Sequence, residues 1–419
     1  MSEVEINERD VAAEVRAWLK ANWNPEQSLL EWRGKLADAG WAVPHWPKQW
    51  HGRGLPVRVL PIINEEFVAA GAVGAAGTGP RILAALTLLD QGSDALKLRF
   101  LRRILTGEDG LCQLFSEPGS GSDLAGATTR ADFDGKQWVI NGQKVWNTSA
   151  HHADFGLLVA RTDWDAPKHQ GLTYFVLDMR QTGVEVRPLR QMNGHASFNQ
   201  VFFTDATIPG DWIVGSKNNG WSVAMTTLAH ERRPTMGVAG LSLDSSLHGR
   251  VYEEARVEAE IANEPYKWYP QRAGRVDLVI ARAKQTGSWN DPLVRQEIAK
   301  LLTMSRATGW MARRAAAAQR IGRPQGPEGS LGKLAGSNVA RQASIVHTLI
   351  TGADAMLTGA DSPMDGTIAE ILISVPATSI AGGTDEIQRN IIGERVLGMP
   401  KEPRSDAGPF RDIPRNVSG

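Results

Sequence analysis

A single cysteine, Cys112, stands in 419 residues. No intrachain disulfide can form, which fits a reducing cytoplasm. Excess charge is also missing, since 46 Lys and Arg balance 46 Asp and Glu. That balance argues against nucleic acid or an anionic membrane as the main partner. No apolar run reaches the roughly 20 residues of a membrane span, because charges and glycines interrupt each candidate. The opening "MSEVEINERDVAAEVRAWLK" is acidic and amphipathic, unlike a secretory leader. There is no internal repeat and no low-complexity segment. What remains is an ordinary soluble composition, 42% hydrophobic and 22% charged. The length implies two or three domains rather than one small core. Tryptophan is plentiful at 14 residues. Most should be core or interface anchors, because a large ring buries much apolar area. Cys112, followed by "QLF", reads as a small buried hydrophobe rather than a nucleophile.

Periodicity divides the chain into helical, β and helical stretches. Residues 1–111 carry apolar positions at helical spacing in "DVAAEVRAWLKANW", "SLLEWRGKLADAGW" and "SDALKLRFLRRILTGE". The texture changes over 112–218. "FGLLVART", "GLTYFVLDM", "VEVRPLR" and "NQVFFTDATI" read as strands. "KQWVINGQKVWNTSA" holds Asn141-Gly142 between two β-rich runs, which predicts a hairpin there. Helical spacing returns over 219–400. The polar, Pro- and Gly-containing stretch 401–419 is expected to be a loose tail or a strap over a neighbour.

The sharpest motif is "LFSEPGSGSDLAG", Leu114–Gly126. Pro118, Gly119 and Gly121 make a turn rich in exposed backbone N–H groups, and Ser116, Ser120 and Ser122 add hydroxyls. Such a loop can cradle phosphate or the polar edge of a heterocycle. Taken alone it would read as a capped turn. Three further stretches accompany it: "GQKVWNTSAHHADFGLLVART", "MNGHASFNQVFFTDATIP" and "IAGGTDEIQRNIIGERVLG". His151-His152 suggests a metal, but adjacent strand residues point to opposite faces and no ligand set accompanies them, so the pair reads as structural.

In this order and spacing the four motifs resemble the acyl-CoA dehydrogenase family of flavoproteins, over about residues 5–400. The resemblance implies an α+β multidomain fold: an N-terminal helical domain, a middle β-barrel-like domain and a C-terminal helical bundle, with FAD in the cleft. It implies α,β-dehydrogenation of an acyl-CoA thioester, an electron-transferring flavoprotein as oxidant, and a homo-oligomer (dimer or tetramer) or a hetero-oligomer with a related subunit. Carried over by position, Phe115 and Ser116 should contact the flavin ring. Gly121 and Ser122 should lie near the FAD pyrophosphate or the CoA. Trp146 should cover a flavin face, and the Thr148 hydroxyl should donate towards flavin N5. Thr384 and Glu386 match positions that reach FAD.

In many members the base is a glutamate two residues before that threonine. Here the position is Gly382, which cannot move a proton, and Asp385 and Glu386 are not expected to replace it. A second family base location matches "LAHERRP", and its glutamate is Glu231. Beside an apolar acyl chain its pKa would rise, making it a better base. Pro234 should distort the helix there, and Arg232 matches an arginine on the CoA side. One departure stands out. The family's Arg-x-x-Phe-Gly segment is replaced by "ARAKQTGSWNDPLVRQ", which has no Phe-Gly. That change is similar to bacterial branches with mixed subunits and argues for dependence on a partner. Beside the leading reading, two alternatives stay open. One is a partner-dependent half-site or non-catalytic subunit. The other is an oxidase or flavin monooxygenase on the same fold.

Overall fold

The computed structural model describes residues 7–77, 79–231, 237–240, 242–243, 246–320, 326, 328–403 and 406–414. They fall into two compact units. The first comprises residues 1–189, 196–265 and 406–419, and the second 190–195 and 266–405.

The first unit contains helices α1 (Glu8–Asn22), α2 (Leu29–Asp38), α3 (Leu60–Ala69), α4 (Pro80–Gln91), α5 (Asp94–Thr106), α6 (Gly220–Glu231) and α7 (Arg250–Asn263). Local chemistry sets their ends. The Asn7 side chain accepts from Arg9 N at the start of α1, and Ser28 and Glu31 form a capping box on α2. Ser93 caps α5, and Gly107, at φ 88°, ends it in the left-handed region. Trp32 sits at the centre of the helical core. Its indole N–H donates to Val73 O at 2.7 Å, and Trp23, Trp18 and Phe67 surround its ring at 4.7, 5.5 and 6.4 Å. Helix α7 completes this core with Val251, Tyr252 and Ala255. It is held there by Leu29 N donating to Glu254 at 2.7 Å and by the Arg33–Glu258 pair at 2.6 Å.

The same unit carries a sheet of β1 (Leu111–Leu114), β2 (Arg130–Phe133), β3 (Gln137–Thr148), β4 (Phe155–Arg161), β5 (Leu172–Asp178), β6 (Val184–Leu189), β7 (Phe198–Pro209) and β8 (Ile213–Val214). The strand order is β6-β7-β3-β2-β4-β5-β8, with β1 parallel to β4. Strands β4 and β5 are buried on both faces. Leu157, Val159, Tyr174 and Val176 face the helical core. Leu158, Ala160, Phe175 and Leu177 face a second core that includes Trp138, Ile140 and Phe203. Cys112 is buried in that second core, as expected.

The expected hairpin at Asn141-Gly142 is not there. Strand β3 runs straight through, pairing with both β2 and β7, with a register shift between Ile140 and Gly142. Gly142 lies at φ 148°, and a Cβ on it would stand 2.8 Å from Thr129 Cα. The glycine serves a bulge and a close backbone approach, not a turn. The turn joining β2 to β3 is instead at Asp134-Gly135, where Asp134 N donates to Gln137 O at 3.0 Å.

Helices α8 (Tyr269–Arg272), α9 (Val279–Gln285), α10 (Pro292–Arg320), α11 (Glu328–Thr351), α12 (Thr367–Ser374) and α13 (Asp385–Ile391) make the second unit. Val279, Ala283, Ile298, Leu301, Val346 and Ile350 form its larger core. Most tryptophans are buried or half-buried, as expected; Trp146 and Trp310, 56% and 60% exposed, are the exceptions. No described helix is long and apolar enough to cross a membrane. The C-terminal stretch departs from its expectation, because residues 406–414 are laid over the chain's own first unit.

Candidate active site

A buried ion pair underlies the serine- and glycine-rich loop. Lys144 of β3, fully buried, donates through Nζ to Glu117 Oε1 at 2.8 Å and to Phe115 O at 3.0 Å. The same carboxylate accepts from Thr128 N (2.7 Å), Thr128 Oγ1 (2.8 Å) and Thr129 N (2.8 Å). Burial alone would raise the Glu117 carboxyl. Lys144 and these donors override it and hold the group down to about 2. Glu117 is therefore ionised and ties both ends of the loop to β3. Above it the loop closes on itself: Glu117 N and Ser120 N each donate to the other's carbonyl at 3.0 Å. Ser120 Oγ donates to Asp123 O at 2.5 Å. Gly121 and Ser122 are left exposed at the tip, and a Cβ on Gly121 would meet nothing within 4 Å.

The next stretch is strained. A register shift between Lys144 and Asn147 lifts Trp146 out of the ladder, at φ 64°. A bulky residue in the left-handed region is a genuine outlier. Its exposed ring meets Phe198 edge-on at 5.7 Å. Asn147 beside it is buried. Its Nδ2 donates to Gln113 O at 2.7 Å, and its carbonyl accepts from Asn199 Nδ2 at 3.0 Å. Its Oδ1 has no partner among the described residues. Thr148 and Ser116 are half-buried, and Val145 N donates to Ser116 O at 2.9 Å. Phe115 is buried, its ring edge-on to Tyr174 at 5.8 Å. His151 and His152 do not lie on a strand. They occupy the turn after β3, both exposed, with ring centroids 3.9 Å apart. No cluster of three potential metal ligands occurs among the described residues.

Helix α6 joins this region through Tyr174, whose hydroxyl is 3.0 Å from Thr227 Oγ1; that oxygen is 2.9 Å from Thr87 Oγ1 of α4. Glu231 follows Thr227 by four residues, hence on the same helical face. It is the last residue of α6 and is exposed. Its neighbour His230 is buried, with Nε2 2.9 Å from Asp90 Oδ2. Arg232 and Pro234 lie outside the described residues. A cavity of about 440 Å³ also lies in the first unit, lined by Trp46, Val73, Ile82, Ala85, Val238 and Leu243 among others. That volume is within the roughly 300–1,000 Å³ of small-molecule sites. The Trp46 indole N–H is buried without a partner among the described residues.

In the second unit Gly382 and Gly383 take φ 68° and 86°, and Thr384 Oγ1 caps α13 by accepting from Ile387 N. Asp385 is buried between Arg341 (2.6 Å) and Lys333 (3.0 Å). Burial would raise its carboxyl, but these two cations hold it well below the carboxylate range. A carboxylate so paired makes a poor base. Glu386 is exposed and pairs with Arg389 at 3.2 Å. Where the Phe-Gly is missing, Arg282 is buried, donating from Nη2 to Thr351 Oγ1 at 2.8 Å.

Sequence reasoning missed Glu117, Lys144, Asn147 and Tyr174. Lys144 alternates with Val145 in a run that reads as half-solvated, and nothing local marks it as buried. Only its place opposite a Glu-Pro-Gly loop could have hinted at a pair.

Family models match along the chain: acyl-CoA dehydrogenase N-terminal domain over residues 5–108, middle domain over 112–206 and C-terminal domain over 272–397. The acyl-CoA dehydrogenase IpdE1 of Mycobacterium tuberculosis is 33% identical over 416 residues, covering 93% of this chain and 97% of the relative. IpdE1 of Mycolicibacterium smegmatis is 34% identical, covering 95% and 99%. Among solved structures, a steroid acyl-CoA dehydrogenase, Tcur3481-Tcur3483, shares the fold with TM-score 0.64 at 24% identity, covering 94% of this chain and 98% of that one. The ChsE4-ChsE5 complex from Mycobacterium tuberculosis does so with TM-score 0.61 at 22% identity, covering 96% and 100%.

Proposed function

The chain belongs to the acyl-CoA dehydrogenase family, an FAD-dependent group of oxidoreductases, and on that premise we propose that Glu231 is the base that removes the α proton of its acyl-CoA substrate. When bound, FAD supplies the acceptor for the hydride that leaves the β carbon. Glu231 takes the proton onto a carboxylate oxygen as the β C–H breaks, and the thioester gains its α,β double bond. The placement of Glu231 one turn beyond Thr227 supports this, because that face of α6 leads through Tyr174 to Phe115. The pairing of Asp385 with Arg341 and Lys333 removes the rival carboxylate.

The observation that carries the cofactor reading is the Trp146–Asn147 step. A large ring held exposed in a strained backbone, beside a buried acceptor oxygen with no partner among the described residues, fits a flat heterocycle that brings its own N–H. Phe115, Ser116, Gly121, Ser122, Trp146, Thr148, Thr384 and Glu386 serve FAD in this reading. Ser122 and Arg232 serve the CoA moiety, and an electron-transferring flavoprotein reoxidises the flavin. The cavity, which Ala75, Ala76, Ala239 and Ala255 also line, supports a bulky acyl group, and the structural neighbour named for steroid chemistry, Tcur3481-Tcur3483, agrees with that.

The test is reductive bleaching of the flavin by a panel of acyl-CoA thioesters, in the native protein and in Glu231→Gln. The variant should retain FAD and bind acyl-CoA, and should bleach about 10²–10⁴-fold more slowly. Bleaching at the native rate removes Glu231 from the role. Flavin content of the chain expressed alone separates a self-sufficient enzyme from a half-site. Oxygen consumption during turnover separates a dehydrogenase from an oxidase.

A further inference from the structure

The C-terminal residues are tied to the loop that carries Ser122. Arg161, the last residue of β4, is fully buried. Its guanidinium donates to Ala125 O (2.6 Å), Ala127 O (3.0 Å) and Lys168 O (3.2 Å). Two of those carbonyls end the Ser120–Ala127 loop. The face of the guanidinium is covered by the ring of Phe410, 3.4 Å from the ring centroid. Phe410 is itself buried, against Trp164 at 5.5 Å. Its segment is fastened by main-chain bonds: Phe410 N donates to Ala166 O and Arg411 N to Trp164 O, each at 3.0 Å. Arg411 pairs with Asp165 at 2.5 Å. A second link runs in parallel. Lys168 bridges Asp123, at 3.0 Å, and Asp406 of the C-terminal segment.

We propose that residues 406–411 are a positioning element for the cofactor and substrate loop, with Phe410 acting through Arg161 and Asp406 acting through Lys168. The physical reason is the shape of the contact. Each of the three guanidinium nitrogens donates in plane to a carbonyl, so the faces of the group are where a ring can pack, and an aromatic ring excludes water from one of them. Excluding water strengthens these hydrogen bonds, two of which set the loop's far end. Removing the ring lets water compete for the same donors, and Ala125 and Ala127 lose their fixed position. Glu117 still ties both flanks, Phe115 through Lys144 and Thr128–Thr129 directly, so the displacement falls on Ala125–Ala127 and the tip between the two anchors. The loop should then widen rather than unfold, and ligands that span it should bind more weakly.

This inference rests on the reading that the loop binds FAD or acyl-CoA. The experiment therefore includes the loop itself. In the full-length holoprotein, Phe410→Ala should raise KM for acyl-CoA or the FAD dissociation constant at least tenfold, with a smaller fall in kcat. Phe410→Trp should restore most of the loss, because a larger ring can cover the same cation. Asp406→Asn, on a partly exposed side chain, should give a change of the same sign, about threefold, and keeps the question open to test if Phe410→Ala fails to fold. Unchanged KM and FAD affinity in Phe410→Ala or in a folded Asp406→Asn would overturn the proposal, as would a Phe410→Trp variant no better than Phe410→Ala. Gly121→Val is the control. If it leaves both affinities intact, the loop reading itself fails. If it weakens them while the C-terminal variants do not, only the positioning role fails.

Discussion

Lys144→Met removes a cation from beneath the loop and leaves the Glu117 carboxylate buried with only neutral donors. The structure sets the size of the effect by two routes. Holding Glu117 at about 2, against an ordinary value of 4.5, is worth about 3 kcal/mol at about 1.4 kcal/mol per tenfold change in proton affinity. Breaking a buried ion pair on one side costs about 3–5 kcal/mol by analogy with other proteins. The first figure sums Lys144 and the threonine donors against burial and the second concerns the pair itself, and together they set the scale at about 3 kcal/mol. The sign with pH follows from the depressed carboxyl. Its stabilisation is complete above pH 4.5 and is lost as the pH falls from 4.5 towards 2. Urea unfolding followed by tryptophan fluorescence is a suitable assay, since most of the tryptophans lie in the first unit. Lys144→Met should lower stability by about 3 kcal/mol at pH 7. The native protein should lose stability between pH 4.5 and 2, and Glu117→Gln should have a flatter profile over that range. Lys144→Met within about 0.5 kcal/mol of the native protein, or identical acid profiles, would refute the reasoning.

Two further perturbations address the strained step and the bulge. Trp146→Gly relieves a left-handed backbone and removes an exposed ring, so the apoprotein should melt no lower than the native one while FAD affinity drops about tenfold or more, read by flavin fluorescence titration. Equal FAD affinity would detach Trp146 from the cofactor. Gly142→Val places a Cβ against Thr129 Cα at 2.8 Å and forces a β-branched residue to positive φ; a loss of about 2–4 kcal/mol in urea unfolding is expected, and a neutral result would mean that the bulge relaxes freely.

Much of the architecture was legible. The β texture beginning at Cys112 and the helical spacing before and after it are properties of short windows, and windows of that size determine which face of an element is apolar. Non-local contacts were not legible. Asn141-Gly142 carries a strong local hairpin signal, yet the approach of Thr129 decides its geometry, and no neighbouring residue reports that. Lys144 looks like an ordinary strand lysine until the loop folds over it. The C-terminal stretch is polar enough to read as loose, and the one ring that anchors it, Phe410, finds its partner some 250 residues earlier in the chain, at Arg161. Glu231, Trp146 and Thr148 could be proposed from sequence only because their motifs resemble a family; their surroundings do not single them out by composition.

The dependence of the Trp32 core on α7 has a consequence for biosynthesis. Helices α1–α5 are complete by Thr106, but Val251, Tyr252 and Ala255, which close their core, are translated much later. At about 5–20 residues per second, the apolar faces of those five helices wait roughly 7–30 s on the ribosome for their last partner. The nascent chain must spend that interval with a tryptophan-rich surface uncovered. Chaperone occupancy should therefore be heaviest on the first third of the chain, and a stall just before α7 should be the costliest place for translation to pause.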